Sequence, residues 1–266
     1  MAGFDRYSSV LSLFAEDRGS WTVAEMGAHL GTPSSTIYRV VREMVAAGFL
    51  ESAAGSYYRL GPAFIEYDRT ISMTDPLIRS GAGFLDRLVN DNPIPCAAVL
   101  ARLYGNKVMC VADARSKPFT RKTSYQRGRP MPVMRGATSH AILAQIKGKR
   151  LDKVLKSVAE GSQEDRTALA KKLERIRKEG FCSTQGEVDA ESIGFAVPVS
   201  NKALGIEASL SCISAVKDFA DTHEPLIYAN LTTSAKLIEQ HMQRAYDALT
   251  EGHGTAESPP IQLDNP

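Results

Sequence analysis

Apolar positions in the first sixty residues recur at helical spacing. Across residues 4–16 they fall at Tyr7, Val10, Leu11, Leu13 and Phe14, the single stripe of an amphipathic helix. A second helix opens at Thr22, where Thr-x-x-Glu with Glu25 forms a capping box, and Val23, Met26 and Leu30 supply its buried stripe. Gly31 ends it, because a left-handed residue costs least without a Cβ. Thr32 as N-cap and Pro33 at the first helical position start the third helix, predicted over residues 33–47. Two short helices around a tight Gly-Thr-Pro turn make a helix-turn-helix candidate.

The third helix separates two kinds of residue. Ile37, Val40, Val41, Met44 and Val45 follow the spacing of a core-facing stripe. The opposite face keeps Ser34, Ser35, Tyr38, Arg39 and Arg42, the small hydroxyls and guanidiniums that suit a major groove and its phosphates. Gly48 stops the helix. Residues 50–52 and 57–60 then flank Ala-Ala-Gly as a hairpin wing, with Tyr58 and Leu60 expected inward and Tyr57 and Arg59 outward.

Helical spacing continues over residues 62–73 (Phe64, Ile65, Tyr67, Ile71), Asp75-Pro76 forces a break, and residues 77–90 carry another apolar stripe. Beyond Pro93 strands and helices mix. Strands are predicted at 97–104 and 107–114 around Gly105-Asn106, at 121–127, at 193–199 and at 203–211. Helices are predicted at 135–145, 151–158, 166–179 and 221–250. The whole is α+β, a sheet with helices packed on it. Residues 251–266, with Gly, Ser and three prolines, read as a disordered tail.

Composition narrows the function classes. The chain has 266 residues, enough for two domains, and an ordinary 43% of hydrophobic residues. No apolar run approaches the length of a membrane helix, and the N-terminus lacks the regions of a secretory signal. Cys96, Cys110, Cys182 and Cys212 are widely separated, with no metal-ribbon pair, so the expectation is a cytoplasmic protein without cofactor or metal. Charge is uneven. Residues 114–151 hold ten basic residues and no acid, which suggests an anionic partner or a solvated face balanced from elsewhere. Residues 1–61 carry five Arg against six acids, so a single winged helix would bind DNA weakly and two copies are expected.

The run from Thr22 to Gly31, then Pro33-Ser34-Ser35-Thr36-Ile37-Tyr38-Arg39, Ala47-Gly48-Phe49-Leu50 and Tyr58-Arg59-Leu60-Gly61, resembles the IclR family of bacterial transcriptional regulators. So do Gly128-Arg129-Pro130-Met131-Pro132, Ala137, Ala141, Gly186-Glu187-Val188-Asp189, Ile193-Gly194-Phe195-Ala196-Val197-Pro198-Val199 and Ala208-Ser209-Leu210-Ser211. The matches span about residues 4–250. The resemblance implies a winged helix-turn-helix DNA-binding domain at 1–61 and a linker helix at 62–75 that helps a homodimer form, with pairing to a tetramer as a further option. It also implies a GAF-like α/β sandwich at 76–250 that binds a small metabolite, often a carboxylate or aromatic acid. Residue by residue, the effector would meet Ala137, Thr138, Thr184, Ser192, Gly194, Ser209 and Ser211, with Arg129 and Met134 nearby. This chain departs from the family pattern at His140, where a Lys is common, and at Thr184 and Gly194.

Elementary chemistry supports a pocket there. Arg135-Gly136-Ala137-Thr138 would present unbonded amides at a helix start, and Ser209 and Ser211 share one strand face. The DNA-face candidates are thus Ser34, Ser35, Tyr38, Arg39, Arg42, Tyr57 and Arg59. The partners implied are a double-stranded operator, a small anionic effector and a second copy of the chain. The alternative is a small-molecule sensor whose helix-turn-helix mediates protein contacts. Enzyme chemistry could be drawn from Cys182 with His140, or from Ser209 with His140 and Glu187, but no nucleophile-elbow or metal motif supports it, so a non-enzyme is expected.

Overall fold

The structure is a computed structural model that describes residues 3–15, 17–157 and 163–253. The chain divides into two compact units between Thr74 and Asp75. In the first, α1 (Gly3–Leu11) is followed by β1 (Trp21–Thr22), α2 (Val23–Leu30), α3 (Ser34–Ala46), β2 (Leu50–Ser52), β3 (Tyr57–Leu60) and α4 (Ala63–Thr74). The first helix is shorter than its apolar stripe predicts. Beyond Leu11 the chain tightens into turns, yet Leu13 still reaches the core and its carbonyl accepts from the Trp21 indole at 2.9 Å.

The capping box of α2 is present: the Glu25 amide donates to the Thr22 hydroxyl, and the Glu25 carboxylate accepts from the Thr22 amide at 2.8 Å. Gly31 is left-handed (φ 60°) and lets the Thr32 amide reach the Gly27 carbonyl at 2.9 Å. That bond shifts the start of α3 by one residue from expectation. The Thr32 hydroxyl turns back to the Leu30 carbonyl, and Pro33 becomes the N-cap, its carbonyl accepting from the Thr36 and Ile37 amides. Val10, Met26, Ile37, Val40, Val41, Met44 and Leu50 close the core, with Val45 packed at its edge.

The wing is a three-stranded sheet in the order β1-β3-β2, with β1 unforeseen because two residues carry no periodicity. Tyr58 packs inward as expected, but Leu60 is 44% exposed. It lies opposite Leu50, beyond Tyr57 and Tyr58, the two residues that β1 covers. On α4, Phe64 and Tyr67 pack on Phe49, while Ile65, Ile71 and Met73 remain exposed.

The second unit begins with α5 (Pro76–Asp91), capped by Asp75. Next come β4 (Cys96–Tyr104), β5 (Lys107–Arg115), β6 (Pro130–Met131), α6 (Ala137–Leu143), α7 (Gly148–Ser157), α8 (Gln163–Glu179), β7 (Cys182–Gln185), β8 (Ser192–Asn201), β9 (Ile206–Ala215) and α9 (Glu224–His253). The six strands form one antiparallel sheet, order β6-β5-β4-β9-β8-β7, that curls into a half-barrel. One face packs against α5 and α9 through Leu77, Leu85, Leu100, Phe195, Leu210 and Ile238. The other packs against α6, α7 and α8 through Val99, Ala101, Ile142, Leu155, Leu173 and Ile213.

Several expectations change here. Residues 121–127 form a loop, because Thr123 and Ser124 donate to the Asp189 carboxylate at 2.7–3.0 Å and bend the chain toward it; the edge of β5 is paired by Pro130–Met131 instead. The last strand starts at Ile206, after a turn through Gly205 (φ 62°). The closing helix runs through His253, so residues 251–253 are helical, and residues 254–266 of the expected tail lie outside the described residues.

The first unit holds the only tryptophan of the sequence, so its unfolding can be followed alone. Thr22→Ala should lower its stability by about 1 kcal/mol, the usual worth of an N-cap. Urea unfolding monitored by Trp21 fluorescence checks this, and an unmoved midpoint would show that the box is dispensable.

Candidate functional site

On α3, Ile37, Val40, Val41 and Met44 are buried, and Ser34, Ser35, Tyr38, Arg39 and Arg42 are all exposed on the side away from the core. The wing adds Tyr57, also exposed, and Arg59, whose guanidinium is paired with Glu51 across the hairpin. Three acids of this unit are engaged internally. Glu25 serves the capping box and pairs with Arg18, Glu51 holds Arg59, and Glu43 accepts from the Tyr7 phenol. A surface of hydroxyls, an aromatic ring and two guanidiniums one turn apart is left on α3.

In the second unit most of the expected effector residues converge where α6 meets β7, β8 and β9. The Ala137 amide donates to Thr184 Oγ1 at 2.9 Å, and Thr138 Oγ1 donates to Ser211 Oγ at 3.0 Å. Gly194 lies directly under them: a Cβ there would stand 3.7 Å from the Ala137 Cβ and 3.9 Å from Thr184 Oγ1. Ser209 is fully buried and its hydroxyl has no hydrogen-bond partner among the described residues. Met134 is buried and its carbonyl contacts His140 Nε2 at 2.9 Å. Ser192 opens β8, paired with Ala215 and two positions before Gly194, and Arg129 sits on the loop before β6, its charge acting on Asp189.

The amides at the start of α6 are not available as expected. The Gly136 amide donates to Glu187 Oε2 at 2.8 Å, and Glu187 Oε1 accepts from Lys172 Nζ at 2.7 Å. An internal carboxylate therefore fills the helix start. Gly136 is required there twice over, by its positive φ of 88° and because a Cβ would stand 2.8 Å from Val188 and 2.9 Å from the Tyr125 hydroxyl. At the other end of α6, Arg177 donates to the Ala144 and Ile146 carbonyls at 2.8 and 2.9 Å. Sequence reasoning passed over Lys172, Arg177 and Tyr125, since nothing local in the chain marks residues whose partners lie 15 (Lys172 to Glu187), 31 and 33 (Arg177 to Ile146 and Ala144) positions away, or beyond a helical turn as for Tyr125 and Gly136.

Titration follows from these contacts. Burial pushes the Glu187 carboxyl up, but hydrogen bonds from Lys172 and the Gly136 amide, with His140 beside it, outweigh that and hold it below the usual range. Burial pushes the His140 imidazole below its ordinary 6.5, and Lys172 adds to the effect. Burial pushes the Cys182 thiol up to about 12, and that thiol donates to the Ala137 carbonyl. Cys182 is thus a satisfied core residue and no activated nucleophile. The basic block is likewise partly balanced: Arg115 faces Asp113, Arg121 pairs with Glu191, and Arg150 with Glu207.

The chain thus combines a winged helix-turn-helix unit with a unit built on a curled sheet with helices on both faces. Residues 4–54 match the model of the IclR helix-turn-helix domain, and residues 75–240 that of the bacterial transcriptional regulator IclR C-terminal domain. The chain belongs to the IclR family of transcriptional regulators. It is 20% identical to the HTH-type transcriptional regulator KipR of Bacillus subtilis (strain 168) over 237 residues, covering 87% of this chain and 93% of KipR. It is 21% identical to the Pca regulon regulatory protein of Pseudomonas putida, covering 79% and 73% of the two chains. An IclR homolog from Microbacterium hydrocarbonoxydans, solved in complex with 4-hydroxybenzoate, superposes with a TM-score of 0.75 at 25% identity, covering 90% of this chain and 98% of that one. An IclR transcriptional regulator from Alicyclobacillus acidocaldarius has the same fold, with a TM-score of 0.74 at 20% identity over 90% and 97% of the chains.

The lowered pKa of His140 has a definite sign. The unfolded chain takes up a proton near 6.5, while the folded chain does so only at lower pH, so stability falls as pH drops below that value. The loss is at most about 1.4 kcal/mol per pH unit for one proton. His140→Gln, which keeps a donor for the Met134 carbonyl, should lose less than the wild type between about pH 7 and about pH 5.5. Thermal unfolding of the second unit followed by circular dichroism checks this. Parallel losses in both proteins would show that His140 titrates normally.

Proposed function

We propose that the chain is an effector-controlled regulator of catabolic genes that reads a near-palindromic operator with α3 and the wing and senses a small aromatic or aliphatic carboxylate in the second unit. The observation that carries the DNA reading is the sorting of α3. Every apolar residue of its stripe is turned to the core, and Ser34, Ser35, Tyr38, Arg39 and Arg42 are left together outside. Small residues near a helix start let it enter the major groove, and arginines reach guanine edges or phosphates. Tyr57 and Arg59 serve the wing, Arg59 exchanging Glu51 for a phosphate.

The effector is assigned to the seam between α6 and the sheet. Ser209 offers a buried hydroxyl without a partner among the described residues; Ser211, two positions along the same strand face, meets Thr138, and Thr184 flanks Gly194 farther along the sheet. Ala137, Met134, Val99, Ala101 and Ile213 supply apolar lining suited to a ring. Support for an aromatic acid comes from the 4-hydroxybenzoate complex of the Microbacterium homolog. Because Glu187 already occupies the start of α6, the polar end of the ligand is read by hydroxyls, with Ser192 two positions from Gly194 on the same strand face and Arg129 farther out as an entry residue. The chain acts as a homodimer, with α4 joining the copies through Ile65, Ile71 and Met73, and it works in the cytoplasm without catalysis.

Arg42→Ala should weaken binding to the DNA upstream of the reading frame by roughly 1–3 kcal/mol, read by fluorescence anisotropy at two salt concentrations. Wild-type affinity in the variant would remove Arg42 from the interface. A flat, salt-independent titration of the parent would favour a helix-turn-helix devoted to protein contacts. Ser209→Ala should blunt the response of that binding to 4-hydroxybenzoate or related acids by about tenfold or more, equivalent to a lost buried hydrogen bond, and leave ligand-free DNA binding intact. A full response in the variant would move the ligand elsewhere.

A further inference from the structure

We infer that Arg102 is a positioning residue that sets the DNA-binding state of the chain by holding Asp75, the single non-helical residue between α4 and α5. The inference rests on the regulator reading above. Thr74 ends α4 and Pro76 begins α5, so Asp75 (φ −67°, ψ 123°) is the one residue of this junction outside both helices. The Asp75 side chain is fastened at three points. Its Oδ1 accepts from the Leu77 and Ile78 amides at 2.9 and 3.0 Å, and its Oδ2 accepts from Arg102 Nη1 at 3.1 Å.

Capping α5 needs only one of those oxygens. The second reaches a strand 27 residues further along the chain. The pair is also unlike an ordinary surface ion pair, since the side chains are only 18% and 13% exposed and the guanidinium lies over the Tyr104 ring at 4.9 Å. Arg102 Nε is buried without a hydrogen-bond partner among the described residues, and the head group lies between Asp75 and Tyr104.

Strand β4 gives this pair its reach. Successive side chains alternate between faces, so Arg102 and its neighbour Ala101 point to opposite sides of the sheet. Ala101 is paired with Ser209, and Val99 with Ser211, the two serines of the proposed effector seam. A ligand that shifts β9 against β4 therefore moves the residue next to Arg102, and Asp75 cannot follow without loosening its cap or its ion pair. The pair is thus a link that a ligand in the seam would load.

The test compares the parent chain with Asp75→Asn, Arg102→Gln and the double variant in anisotropy titrations of upstream DNA. Asn caps a helix about as well as Asp, so D75N removes the ionic link and keeps the start of α5. Each single variant should change DNA affinity by at least about fivefold in the same direction, and the double variant should change it no further. Arg150→Gln, which breaks the more exposed pair with Glu207, should leave affinity unchanged. Parental affinity in both single variants, or additive effects, would overturn the assignment. Should the parent bind no DNA, the regulator reading fails by itself, and amide hydrogen exchange over residues 74–79 decides the latch: faster exchange in R102Q and D75N upholds it, and unchanged exchange overturns it. If R102Q does not fold, Arg102→Lys, which keeps the charge and loses the planar fork, takes its place in both measurements.

Discussion

A buried helix of seven residues cannot satisfy itself. Helix α6 has every residue from Ala137 to Leu143 out of solvent, and an α-helix leaves four amides and four carbonyls outside its own ladder at its ends. Each of these left bare in the interior costs about 1–3 kcal/mol. The second unit is arranged around removing that cost. Glu187 and Thr184 take the first amides, the amides of residues 144–146 and the Gln145 side chain take the last carbonyls, and Arg177 takes the carbonyls of Ala144 and Ile146 just beyond. Glu187 then requires a cation, which Lys172 supplies from the same helix that carries Arg177. One helix, α8, therefore supports the start of α6 and the chain that leaves its end, and the turn between β7 and β8 is held to α8 by the Glu187 carboxylate.

The same constraint shapes what a ligand must do in the seam. The Thr138–Ser211 and Ala137–Thr184 hydrogen bonds already join α6 to the sheet, and only the Ser209 hydroxyl among these groups lacks a partner. A ligand bound there gains a hydrogen bond at Ser209 outright, because that group has been desolvated by folding. At the other positions it exchanges one protein bond for another, which is worth little in net free energy. In the proposed effector site, affinity and conformational response would then come from different residues: the orphan hydroxyl would hold the ligand, and the exchanged pairs would report its arrival by moving α6 against β9.

How much of this was legible in the chain depends on the range of the interaction. The capping box of α2, the left-handed Gly31, the buried stripe of α3 and the Asp75-Pro76 break were readable because each is decided within four residues. Pro33 was misplaced by one position because the Thr32 amide and hydroxyl are both claimed by the end of α2, a competition that helix-start rules do not weigh. Residues 121–127 alternate like a strand, yet Asp189 draws their hydroxyls across 65 and 66 positions of chain. Five of the effector residues named through family resemblance, Ala137, Thr138, Thr184, Gly194 and Ser211, do meet. Their locking by Glu187, Lys172 and Arg177 could not be foreseen, since charged residues on an amphipathic helix ordinarily face water.

The acid excess of the first unit shows why net charge misleads at this scale. Glu25, Glu43 and Glu51 are turned toward Thr22 and Arg18, Tyr7, and Arg59, so the outer face of α3 is locally basic while the unit as a whole is not. Two arginines still make a weak electrostatic anchor, because affinity for a duplex grows with each phosphate neutralised. One copy offers Arg39 and Arg42 on α3, and two copies bound together double the phosphates reached. The exposed Ile65, Ile71 and Met73 of α4 are the apolar surface that a second copy can cover. On this view DNA affinity is limited by association as much as by the groove contacts, and a polar residue at Ile71 would weaken operator binding without touching α3.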